Sequence, residues 1–203
     1  MQKERFFPGI VFLATSICFI LISCNKDSGG SITANQKPGV GTKWTYRYTT
    51  YYPNGGQITS SNIVYKAVSQ ETLGGESWLK IVDTATGSTV FYLKEKSDGL
   101  YLFGNSSANL LCKYPAALNE TYTAFNGAET VDFFVSWVNI SQQYGQIGDI
   151  MVNLYNGSIG ADLVDEIWYN SKYWITRRNY YIKPLQSATY FRNASLIIQN
   201  ITY

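Results

Sequence analysis

Between Thr130 and Ser141 the chain alternates with a period of two, so that Val131, Phe133, Val135 and Trp137 fall on one side of an extended backbone. An alternation this regular buries its apolar set as a strand, and a slip of one residue would turn the whole set to the other face. Weaker versions of the pattern recur over 44–49, 58–70, 76–83, 89–95, 100–103, 149–155, 163–169, 173–182 and 189–203. Turn formers separate them, among them Pro53-Asn54-Gly55-Gly56, Gly74-Gly75 and Ser97-Asp98-Gly99. The expected fold class is all-β, an antiparallel meander of roughly ten strands curled into a half-barrel or barrel, since curling limits exposed edges. Little or no helix is expected outside the N-terminal leader.

Two stretches interrupt the pattern. The polar run 104–109 reads as a loop, and 110–118, with Pro115 forbidding a central strand, reads as the place for the only helical turn. Phe134, Val138 and Ile140 make the second face of the 130–141 strand partly apolar, which implies a second layer or partial cover there. The 16% aromatic content, with 17 Tyr, suits strands.

The N-terminus has a different character. Lys3 and Arg5 precede an apolar run over 10–22 that ends in Leu21-Ile22-Ser23-Cys24. That run is short for a spanning helix, which needs about 20 apolar residues. The ending resembles the bacterial lipobox. The resemblance implies a signal peptide over 1–23, an acylated Cys24 as mature N-terminus, a flexible lipidated tether over 24–37 that does not pack, and a single β domain over 38–203. Membrane attachment would then be through acyl chains, two or more of which give durable binding. Lys26-Asp27 resembles the charged stretch behind the cysteine in Bacteroidetes-type lipoproteins, which favours a lipid-anchored place in the cell envelope, at the outer membrane. Removal of Cys18 with the leader and acylation of Cys24 leave Cys112 as the only thiol, expected to be buried and inert behind Leu110-Leu111.

Gly39-Val40-Gly41-Thr42-Lys43-Trp44-Thr45-Tyr46 and the later Glu166-Ile167-Trp168-Tyr169 resemble two strands of uncharacterised Bacteroidetes lipoproteins, which look like the lipoprotein-carrier (LolA-like) half-barrel. Such a resemblance implies a curved sheet that holds an apolar or amphipathic ligand, or docks an envelope protein. A lipocalin start has a shorter Gly-x-Trp spacing than Gly41-Thr42-Lys43-Trp44.

Catalytic chemistry is poorly provided for. The chain has no His, which removes the usual base near neutral pH and the commonest metal ligand, so no catalytic residue, cofactor or metal is assigned. An unrecognised hydrolase would have to use carboxylates, Tyr, Lys or Ser. Asp162, Asp165 and Glu166 are the densest acidic group, but Asp162 and Glu166 on one strand face would stand about 13 Å apart at roughly 3.3 Å per residue, beyond glycosidase spacing. They read as solvated charges near a strand end, with Asp165 on the opposite face. Trp168, Tyr169, Tyr173, Trp174, Arg177, Arg178, Tyr180 and Tyr181 combine flat rings with cations. They are the candidate ligand platform, for a glycan in the alternative reading, against a bland one in which half the rings are core and the rest cross-strand neighbours. Asp83-Thr84-Ala85 matches the pattern by which Bacteroidetes-type exported proteins are O-glycosylated, at Thr84 here. A net charge of +2 with 15% charged residues argues against a nucleic-acid partner.

Overall fold

The computed structural model describes residues 36–182 and 191–203. The leader, Cys24, the tether up to residue 35 and the segment 183–190 lie outside the described residues. Twelve strands follow one another: β1 (Lys43–Tyr51), β2 (Gln57–Leu73), β3 (Glu76–Asp83), β4 (Thr89–Lys96), β5 (Gly99–Gly104), β6 (Ser107–Lys113), β7 (Thr121–Phe125), β8 (Thr130–Tyr144), β9 (Gly148–Ile159), β10 (Asp162–Asn170), β11 (Trp174–Ile182) and β12 (Phe191–Thr202). All are antiparallel and form one sheet in the order β6-β5-β4-β3-β2-β1-β12-β11-β10-β9-β8-β7. The fold is an all-β, nearly closed barrel, and no helix occurs among the described residues.

Strict alternation of strand direction sorts the connections between two poles. Residues 36–42 and the turns after β2, β4, β6, β8 and β10 lie at one pole; the turns after β1, β3, β5, β7 and β9 lie at the other. Lys37, the last residue assigned to the tether, is exposed and makes a surface ion pair, its Nζ 2.7 Å from Glu95 Oε1.

Two of the twelve strands were not expected, and both are sheet edges. Residues 104–109 are not a loop: Asn105 and Ser106, with φ of 53° and 60°, make a two-residue hairpin turn, and Ser107 already belongs to β6. Residues 110–118 hold no helical turn; Pro115 sits after β6, outside any strand. The barrel seam runs between β6 and β7, where no ladder forms. Side chains bridge it instead. The Tyr122 hydroxyl donates to the Leu111 carbonyl at 2.9 Å, and the Tyr155 hydroxyl to the Lys113 carbonyl. Cys112 lies fully buried between these two carbonyls, and burial pushes its thiol upward.

The seam yields a prediction. Tyr122→Phe and Tyr155→Phe should each cost about 0.5 to 1.5 kcal/mol by removing a hydrogen bond to a part-buried carbonyl of the seam. The double variant should also speed maleimide labelling of Cys112, followed on its peptide by mass spectrometry. Labelling at the native rate would mean that the two tyrosines do not hold the seam.

Along β8, Val131, Phe133 and Val135 are buried as expected, but Trp137 is 59% exposed. The cause is a register shift: Val135 pairs with Tyr155 while Trp137 pairs with Leu154, so β8 carries an extra residue and its alternation reverses. Val138 and Ile140 thereby pack against the buried cluster. Phe134 stays exposed, so among the described residues no second layer covers its part of the face. Farther on, β9 pairs with β10 only as far as Asn153 opposite Tyr169, whereas the β8–β9 hairpin continues to Tyr144 opposite Gly148. Its tip reaches β12, where the Gln146 amide donates to the Gln199 carbonyl at 2.8 Å.

Candidate functional site

The barrel interior is filled by aliphatic side chains interleaved with large aromatic ones. Trp44 and Tyr46 of β1 reach past β12 to β11: Trp44 Nε1 donates to the Tyr173 carbonyl at 3.1 Å, and the Tyr46 hydroxyl to that of Ile175 at 2.8 Å. Trp44 stacks on Trp174 with centroids 6.0 Å apart. What remains among these rings, Tyr65, Phe91 and Leu196 is a void of about 20 Å³, room for about one water. The Trp174 indole N–H beside it has no hydrogen-bond partner among the described residues.

At the pole opposite residues 36–42 the space widens into a cavity of about 440 Å³. Among the described residues, Val90, Phe91, Leu102, Phe103 and Phe125 supply apolar walls, and Arg178 and Tyr180 are shared with the inner void. The turn after β7 forms part of its rim through Asn126, Gly127 and Ala128. Gly104 permits this arrangement: a Cβ there would stand 2.8 Å from the Phe125 ring, which lies over its bare backbone.

Arg178 ties the cavity together. Its Nε and Nη2 donate to the two carboxylate oxygens of Asp165 at 3.0 and 2.5 Å, and Nη2 also donates to the Asn126 carbonyl at 2.7 Å. The guanidinium lies 4.7 Å from the Tyr180 ring centroid. Arg178 is 2% exposed and Asp165 0%. Burial alone pushes the Asp165 carboxyl upward, and the guanidinium opposes that; Asp165 in turn holds Arg178 firmly protonated. Asp165 is therefore no solvated charge near a strand end. It lies on the face opposite Glu166, as its alternation predicts, but the barrel, not solvent, lies on that side. Two inward charges of opposite sign on neighbouring strands satisfy each other here.

The eight residues of the aromatic stretch are divided by the barrel wall. Tyr169, Trp174, Arg178 and Tyr180 lie inside, and Tyr173 is buried in the turn before β11. Trp168, Arg177 and Tyr181 lie outside, where Arg177 covers the Trp168 ring at 5.2 Å. Glu166 accepts hydrogen bonds there from Trp168, Asn179 and Tyr181 at 2.7, 2.9 and 3.1 Å. Burial, then the Glu166 carboxylate, push the Tyr181 phenol up to about 12. The eight do not form one platform. Thr84 is exposed in the turn between β3 and β4, beside an Asp83 carboxylate that accepts the Ala85 amide at 2.8 Å.

No family model, curated protein or solved structure matches this chain. The reading of the site therefore rests on its geometry. Residues that sequence reasoning missed are those of the mouth, Phe91, Leu102, Phe125 and Asn126, which come from three separate segments and share no local motif.

Proposed function

We propose that this protein is a membrane-anchored, non-enzymatic binding lipoprotein that holds an apolar or amphipathic small molecule in the mouth of its barrel. One observation carries the reading: a cavity of about 440 Å³ with apolar walls above a packed aromatic interior. Ligand pockets span roughly 300 to 1,000 Å³ and combine such walls with a few fixed polar groups. The polar side chains of its described lining are Arg178, Asn126, Tyr180, Thr89 and Tyr92. Attachment is assigned to an acylated Cys24, on the strength of its lipobox, with the outer membrane of the cell envelope as the proposed location. The resemblance to lipoprotein carriers points the same way. A glycan platform is not favoured, since Trp174 is buried inside the barrel while Trp168 lies outside under Arg177.

The test uses the full chain in detergent and the fluorescent probe N-phenyl-1-naphthylamine. Ala128 is exposed on the rim, so Ala128→Trp should fill the mouth without disturbing the core. Saturable probe binding to the native chain, weakened at least tenfold in this variant, is the expected result; equal binding by both would remove the mouth as the site. For the anchor, Cys24→Ala should abolish acyl labelling and leave an unprocessed precursor, whereas continued cleavage with release would show an ordinary secretory signal.

A further inference from the structure

Among its described lining residues the mouth holds one charged side chain, and that one is already paired. Arg178 is its sole ionic group among the described lining residues, and both carboxylate oxygens of Asp165 already engage it. Its Nη2 is further committed to the Asn126 carbonyl of the rim. An anionic ligand that drew Arg178 away would strand a fully buried carboxylate, and one that did not would be desolvated against aromatic walls without a counter-charge; either outcome is costly. A cationic ligand meets the same walls, with Asp165 already occupied and sealed beneath the guanidinium. Phe91 and Phe125 instead offer ring surfaces, and the Tyr180 ring is covered by the guanidinium.

We propose that the mouth selects uncharged, ring-bearing apolar molecules and excludes lipid-like anions such as fatty acids. The inference rests on the reading of the mouth as a ligand site and narrows it to a chemical class. Arg178 acts in it as a positioning residue: held by Asp165, it fixes the rim at Asn126 and leaves the cavity electrically balanced.

A matched pair of probes tests this, N-phenyl-1-naphthylamine and its 8-sulfonate, which share their rings and differ by one negative charge. Both are titrated into the full chain in detergent, and the Ala128→Trp chain under the same conditions is subtracted. The neutral probe should give a saturable increment with a dissociation constant at least tenfold below that of the sulfonate. Ala128→Lys, which adds a free cation at the exposed rim, should bring the sulfonate to within threefold of the neutral probe. A sulfonate that binds the native chain as tightly as the neutral probe overturns the selectivity while leaving the mouth a ligand site. A ratio unchanged by Ala128→Lys also overturns it, because charge would not be what excludes the anion. No increment from either probe overturns the ligand site itself.

Discussion

Asp165→Ala is expected to destabilise the fold by about 3 to 5 kcal/mol, because it leaves the Arg178 guanidinium buried without its partner. The loss should be visible as a large drop in urea midpoint. Asp165→Leu combined with Arg178→Met should recover most of that stability, since buried ion pairs replaced by packed apolar groups are often neutral or better. Stability and architecture separate in that double variant. Arg178 also holds the Asn126 carbonyl at 2.7 Å, and the turn after β7 would lose this tie even in a stable protein. Amide exchange around Asn126–Glu129 should then speed up while the rest of the barrel stays protected. A single variant within about 1 kcal/mol of native would mean that the pair is not desolvated.

Phe133→Ala should cost about 3 to 5 kcal/mol, the range for a fully buried ring. Phe133 is fully buried, stacks on Tyr122 at 5.5 Å and lies over Gly157, where a Cβ would stand 2.8 Å from its ring. Trp137→Ala, four residues along the same strand, should change stability by about 0.5 kcal/mol or less. Thermal melts of the two variants compare the halves of β8 directly. A costly Trp137→Ala would place that indole inside and deny the bulge.

Alternation over 130–135 and the aromatic run of β1 made the strands and their inward faces legible, because period two is a local property. The bulge at Ser136 was not legible: an extra residue shows only against the register of β9, which the sequence of β8 does not contain. The edges failed for another reason. β6 begins Ser107-Ala108-Asn109, which reads as a loop, and β7 is five residues with Thr121 and Thr123 on its wet side, too short and polar to signal a strand. Within the candidate site, Arg178 and Tyr180 stood out as part of an aromatic stretch, but which side of the wall each faces is set by the register shift between β10 and β11. The Arg178–Asp165 pair follows from topology that places β10 beside β11, not from any spacing along the chain.

An even number of strands has a consequence for geography. Six rise and six descend, so the segment entering at residues 36–42 and the cavity rim at Asn126–Ala128 occupy opposite poles. A molecule held in the mouth is therefore separated from the 36–42 pole by the packed interior, whose remaining void beside Trp44, Tyr46 and Trp174 has room for about one water. A ligand of the mouth would enter and leave by the same rim, formed in part by the turn after β7.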